Sequence, residues 1–208
     1  MKIAALGGGI GSYATAADLT ERGHRDRQGR RNAAALAPLL ARGAITLRDE
    51  RGLRAAVLAQ VTTEMAAAVR GAELILASTP AFAQPDLARA LAPHLTDGQF
   101  VFLLPGTFGS ALVAQVTRAA GCRAEVASAE AGTLPWLTLK RGPAEVAITS
   151  RATRLPSGVF SACLAGPAFA VLKAAFPAIE PVEDGLSAAL MNAGPIIWTE
   201  LSCTVCTP

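Results

Sequence analysis

Between an apolar run, Lys2 to Leu6, and an alanine-rich stretch of helical period, Ser12 to Arg22, stands the segment Gly7-Gly8-Gly9-Ile10-Gly11. A strand that turns through glycines straight into a helix narrows the possible folds more than any other feature of the chain. Gly7 permits the tight turn, and Gly9 lets a ligand come close to the backbone. The helix N-terminus beyond offers unpaired N–H groups and a partial positive charge. Ser12 replaces the third glycine of the dinucleotide fingerprint; it is still small, and Gly11 adds room. A dinucleotide pyrophosphate is the expected ligand of Gly7, Gly9, Gly11 and Ser12.

The rest of the 208 residues supports an α/β reading. Short apolar runs such as Leu74 to Ser78 and Phe100 to Leu104 alternate with helical stretches at Ala33–Ala41, Gln84–Leu91 and Ser110–Ala119, the pattern of βα units feeding a parallel sheet. Ala44–Leu47 and Ala55–Leu58 read as a hairpin. Further strands are expected at Ala124–Ala127, Glu145–Thr149 and Ala178–Val182, with helices at Ala168–Ala175 and, containing Pro195, at Leu186–Ile197. One doubly wound, mainly parallel sheet of Rossmann type accounts for residues 1–184. One place contradicts it. The second strand should follow Gly23, and Arg25-Asp26-Arg27-Gln28-Gly29-Arg30 contains no apolar residue, where a buried parallel strand normally reads as a Val/Ile/Leu run. Either the strand frays or its side chains find partners, because an unpaired buried carboxylate costs several kcal/mol.

Hydrophobic residues make up 51% and charged residues 17%, which excludes disorder as the main theme. The net charge is +3 and the cationic residues are scattered, so nucleic-acid binding is not expected. No apolar run approaches the length of a membrane span, and the early glycines interrupt any secretory apolar region, so a cytoplasmic protein is expected. Cys122, Cys163, Cys203 and Cys206 read as free thiols. Cys203 and Cys206 lack the further ligands of a zinc site, and no metal is expected.

Other candidate residues follow from the sheet. Arg30 and Arg31 stand where an NAD-preferring fold carries an acidic residue for the ribose, and guanidinium groups there suit a 2′-phosphate, so NADP(H) is preferred over NAD(H), which stays possible. Ligands bind beyond the carboxyl ends of parallel strands, where Ser78-Thr79-Pro80 and Pro105-Gly106-Thr107 would shape the nicotinamide end. Glu130 would reach the same edge, unless it is a satisfied structural carboxylate. Arg151 and Arg154 read as a solvated loop and His24 and His94 as surface residues.

Taken in order, GGGIGSYATAADL, STPAFAQPD, LLPGTFGS, AEAGTLPW and LMNAGPII make residues 1–197 resemble the octopine/nopaline (opine) dehydrogenases, whose first part is similar to the cofactor domain of glycerol-3-phosphate dehydrogenase. The resemblance implies an oxidoreductase that condenses an amino acid with a 2-oxo acid through an imine, using a hydride from NAD(P)H. It also implies that residues 185–208 are the start of an all-helical substrate domain. Asn192 would lie at the domain boundary near the nicotinamide. The family's histidine position is occupied by Trp198, whose indole only donates, so the catalytic residues are unassigned and the chain by itself is expected to be inactive. The apolar surface from Leu186 to Trp198 is expected to seek a partner or a second copy. Ketopantoate reductases, hydroxyacid dehydrogenases and a non-catalytic nucleotide-binding or interaction fragment are the alternatives.

Overall fold

The all-apolar runs form the middle of a large sheet, as their lack of alternation requires for strands covered on both faces. The computed structural model describes residues 1–192. Along them run β1 (Lys2–Leu6), α1 (Ile10–Glu21), β2 (Arg25–Gly29), α2 (Ala33–Arg42), β3 (Ala44–Asp49), β4 (Gly52–Val57), β5 (Gln60–Thr62), α3 (Met65–Val69) and β6 (Leu74–Ala77). There follow α4 (Gln84–Leu91), β7 (Phe100–Leu103), α5 (Gly109–Ala119), β8 (Ala127–Ala131), β9 (Trp136–Gly142) and β10 (Glu145–Arg151). The last elements are β11 (Leu155–Phe160), α6 (Ala165–Ala175), β12 (Ile179–Pro181) and α7 (Gly185–Leu190).

The large sheet has the order β12-β11-β8-β7-β6-β1-β2-β5. From β8 to β5 all pairs are parallel, and β11 runs antiparallel to β8. This is the Rossmann-like sheet the βα pattern predicts, and the chain reverses direction across it at β1 and β6, which is where such sheets open a crevice.

A second sheet, β4-β3-β10-β9, comes from two antiparallel hairpins joined by a parallel β3–β10 pair. It packs on α1, which touches all four of its strands. Sandwiched between two sheets, α1 buries every residue from Gly11 to Leu19. That explains why its sequence is apolar around most of its circumference rather than along one stripe. Asp18 in this interface accepts from Trp136 Nε1 at 3.1 Å and pairs with Arg151 at 2.8 Å. Arg151 also binds Asp49 and Glu50, while Arg54 joins Asp49 to Glu21. Arg151 therefore ends a strand and ties the second sheet to α1 instead of lying in a solvated loop; Arg154 pairs at the surface with Glu180.

The polar segment does form a strand. β2 pairs in register with β1 on one side and β5 on the other. Gln28 Nε2 donates to the Gly7 carbonyl at 2.7 Å. Arg27 Nη1 donates to the carbonyls of Ala67 and Arg70, closing the end of α3. Gly29 leaves just enough room for Leu6 and Ala68, since a Cβ there would lie 2.8 Å from Leu6 Cδ2. Among the described residues, neither carboxyl oxygen of Asp26 nor Oε1 of Gln28 has a hydrogen-bond partner. Burial holds the Asp26 pKa well above the usual range, outweighing an opposing effect from the Ala5 backbone.

Three other departures have local causes. The strand expected at Ala124–Ala127 begins at Ala127, because Glu125 is held by the preceding turn: its N–H donates to Asp97 and its carbonyl accepts from Gly98. β9 and β11 appear where no strand was expected; β11 contains Pro156 and Gly158, and the absence of a side chain at Gly158 admits the Asp184 backbone at the start of α7. α7 is capped by Asp184, whose carboxylate accepts from the Ser187 N–H at 2.7 Å, and it packs against β8 and β11. α7 ends at Leu190, short of the helix expected over Leu186–Ile197, and residues 193–197 with Pro195 lie outside the described residues, as do Trp198, Cys203 and Cys206. Among the described residues no helix is long and apolar enough to cross a membrane.

Candidate functional site

The glycine turn leaves β1 at the reversal point of the sheet. Gly7 has φ +126°, a conformation that side chains rarely adopt, and its N–H donates to Gly29 at the end of β2. Gly9 caps α1 without a side-chain partner for the helix N–H groups. A Cβ at Gly9 would meet nothing nearer than 4.0 Å, so open space lies over the helix start. Gly11 sits tightly against Ser78, whose hydroxyl donates to the Leu104 carbonyl at 2.9 Å. Ser12 is buried and turns its hydroxyl to the Gly9 carbonyl at 3.0 Å, so it serves the turn itself.

Two cavities meet at this turn. One, of about 230 Å³, is lined by Gly7, Gly8, Arg30, Arg31 and Asn32 on one side and by Met65, Ala68 and Leu87 on the other, with Glu64 at its rim. The second, of about 250 Å³, is lined by Gly9, Gly11, Pro80, Pro105, Thr107 and Leu134. Thr79 lines both. Its Oγ1 is buried and has no hydrogen-bond partner among the described residues. The structure thus brings Gly7, Gly9, Gly11, Arg30, Arg31, Thr79, Pro80 and Pro105 to one crevice, elongated and with a helix N-terminus at its middle.

Gly106 does not line it. It is the point at which the loop from Pro105 to Gly109 is clamped from both sides. Gln84 Nε2 donates to the Gly106 carbonyl at 2.9 Å, and the Glu130 side chain fills the space a Cβ at Gly106 would take. Glu130 accepts from the Ser110 hydroxyl at 2.5 Å and the Ser110 N–H at 3.3 Å, so it caps α5 from a neighbouring strand. It is buried, and burial raises its pKa more than those donors lower it. Its other oxygen has no partner. Asn192 Nδ2 reaches Thr107 Oγ1 at 3.4 Å, placing Asn192 beside the same loop.

Sequence reasoning did not single out Gln84, or Lys140 on β9. Lys140 Nζ stands 4.3 Å from the centroid of the Tyr13 ring, one turn into α1. Nothing in the spacing of the sequence connects position 140 to the glycine turn; the second sheet does so.

The crevice can be compared with those of known proteins. No protein-family model matches the chain. An opine dehydrogenase of Arthrobacter sp. (strain 1C) is 25% identical over 194 residues, which are 93% of this chain and 54% of that protein. The resemblance to the opine dehydrogenases holds. The chain spans about half the length of this relative. Among solved structures, octopine dehydrogenase with NADH and L-arginine has a TM-score of 0.77 at 19% identity, covering 94% of this chain and 52% of that one. Yersinopine dehydrogenase with NADP+ has a TM-score of 0.71 at 19% identity, covering 90% of this chain and 48% of that one. A 2-dehydropantoate 2-reductase from Methylococcus capsulatus has a TM-score of 0.67 at 20% identity, covering 96% of this chain and 61% of that one. At these identities the structures share the fold with the chain.

Proposed function

We propose that residues 1–184 are the dinucleotide-binding domain of a cytoplasmic NAD(P)H-dependent oxidoreductase of opine dehydrogenase type, with 185–208 the first part of a helical substrate domain. One observation carries the reading: the uncapped N-terminus of α1, behind an open Gly9, faces a crevice whose buried Thr79 hydroxyl has no partner among the described residues. A pyrophosphate over Gly9 would take up the free helix N–H groups, which is how helix N-termini hold phosphates. The slot lined by Met65, Ala68 and Leu87 is apolar and suits an adenine. Arg30, whose side chain covers Gly8, and Arg31 on the same rim suit a 2′-phosphate, so NADP(H) is the preferred cofactor and NAD(H) the weaker one.

When bound, the nicotinamide supplies the hydride. The chain's own contribution at that end is positional. Ser78 and Gln84 fix the turns after β6 and β7, Glu130 anchors the start of α5, and Thr79, Pro80 and Pro105 give the crevice its walls. The proposed substrates, an amino acid and a 2-oxo acid, would enter beside Asn192. Exposed Leu186, Leu190 and Met191 on and after α7 offer a surface for self-association, which size-exclusion chromatography at increasing concentration reads directly.

Titration of the purified protein with NADPH and with NADH, followed by calorimetry, tests the reading. NADPH is expected to bind at least about fivefold more tightly, the scale of one charge-assisted contact at a partly exposed site. Tighter NADH binding would remove the NADP(H) preference, and binding of neither would overturn the assignment.

A further inference from the structure

Outside the cavity that Arg30 and Arg31 line, a further cation stands within electrostatic reach of Arg30. β9 carries Lys140 across the outside of α1, and its ammonium rests on the face of the fully buried Tyr13 ring. Tyr13 belongs to the first turn of α1, since its N–H donates to the Gly9 carbonyl. The ring is therefore a fixed platform next to the glycine turn, and a cation on it is held in place rather than swinging freely. Arg30 reaches the glycine turn from the β2–α2 loop, covering Gly8 and donating to the Ala35 carbonyl at 3.2 Å.

Among the described residues, no carboxylate forms an ion pair with Arg30, Arg31 or Lys140, although seven other arginines of the chain do have such partners. Glu64 lines the neighbouring cavity without pairing to either arginine. Lys140 and Arg30 are within electrostatic reach of each other, and this repulsion adds to desolvation in lowering the Lys140 pKa. Like charges gathered without a counter-charge are at their most stable with an anion between them.

We propose that Lys140 is a third cation of the adenosine 2′-phosphate site, donated by the accessory sheet, and that it contributes to selecting NADP(H) over NAD(H). The proposal rests on the cofactor reading above and adds a residue to it. The phosphate of this site is a monoester carrying close to two charges, which the backbone N–H groups at Gly9 do not reach if they are occupied by the pyrophosphate. Three cations from two separate elements would surround it, and loss of one should weaken binding of that group alone.

The experiment compares wild type, Lys140→Met, Lys140→Arg and Arg30→Met by calorimetric titration with NADPH, NADH, adenosine 2′-monophosphate and adenosine 5′-monophosphate, with thermal unfolding of each variant alongside. Lys140→Met is expected to weaken NADPH and the 2′-monophosphate about five- to twentyfold. NADH should change by less than about twofold, and Lys140→Arg should restore most of the loss, as expected for a contact that needs only the charge. Equal weakening of NADPH and NADH would put Lys140 on the pyrophosphate and overturn the proposal. So would unchanged NADPH binding, which would leave Lys140 as a surface side chain resting on an aromatic ring. If wild type fails to prefer NADPH and Arg30→Met changes nothing, it is the cofactor preference that fails; a normal preference and a normal Arg30→Met effect, with Lys140→Met silent, isolate the failure to Lys140.

Discussion

β1 and β2 lie side by side in the middle of one parallel sheet, one reading Lys-Ile-Ala-Ala-Leu and the other Arg-Asp-Arg-Gln-Gly. Both present buried residues to the same layers, because Ile3 and Asp26, Ala5 and Gln28, and Leu6 and Gly29 are register partners. β1 is stabilised by its own side chains, which are almost wholly removed from water. β2 is stabilised by what its neighbours need: a donor for the Gly7 carbonyl, a cap for α3 and a gap for Leu6. Its backbone hydrogen bonds are satisfied on both sides by β1 and β5, and that does not depend on side-chain polarity. An interior strand position can thus be specified by its surroundings, at the cost of a buried carboxyl and a buried amide oxygen.

Substitutions in β2 are the way to break this contrast. The largest effect is expected for Gly29→Leu: if β2 exists to leave room, the added side chain must displace Leu6 and Ala68. The loss is about 3 kcal/mol in a urea titration, the upper part of the usual range for overpacking. A loss near zero would mean β2 moves freely and is not fixed by its neighbours.

Asp26→Asn is next. Burial raises the Asp26 pKa in the folded chain, so the folded state holds its proton more tightly than the unfolded one. Its contribution to stability is fully present below the unfolded pKa of about 4 and is lost as pH rises through the raised folded value. The variant lacks this loss. It should be more stable than wild type at pH 8 by roughly 1–3 kcal/mol, with the gap closing toward pH 4.5. A gap that does not change with pH would show Asp26 to be ionised or solvated in the folded chain.

Gln28→Ala should have the smallest effect, about 1 kcal/mol for the lost hydrogen bond to Gly7. Because that bond holds the glycine turn, NADPH affinity should fall with it by about two- to fivefold, as expected for slight misplacement of a phosphate site. Unchanged affinity would confine Gln28 to stabilising the strand.

The strands with continuous apolar runs, β1, β6 and β7, were legible because complete burial in a parallel sheet leaves that signature. The glycine turn was legible because both its backbone geometry and its closeness to a ligand exclude side chains. β9 and β11 were not: in β9 the alternating Leu137 and Leu139 face outward rather than into a core, and β11 carries Pro156 and Gly158, which argue against a strand. At the candidate site, Arg30, Thr79 and Pro105 followed from their positions after strands. Gln84 was hidden because a helical glutamine reads as surface, and its role appears only with the loop it clamps.

By itself the sequence determined the βα order and the glycine turn with the free helix end behind it. These are local properties, fixed by chain direction, side-chain burial and the absence of Cβ atoms. The tertiary structure decided which polar residues are partnered. Arg27 and the Gln28 amide N–H find acceptors, whereas Gln28 Oε1 and both Asp26 oxygens have no hydrogen-bond partner among the described residues. Arg151 is spent on Asp18 of α1 and Asp49 of β3, and Lys140 is carried to the Tyr13 ring of α1 by a strand far along the chain. The physical reason is that hydrogen bonds and ion pairs act over a few ångströms in space, and no periodicity in the sequence records which distant residues are folded to within that reach.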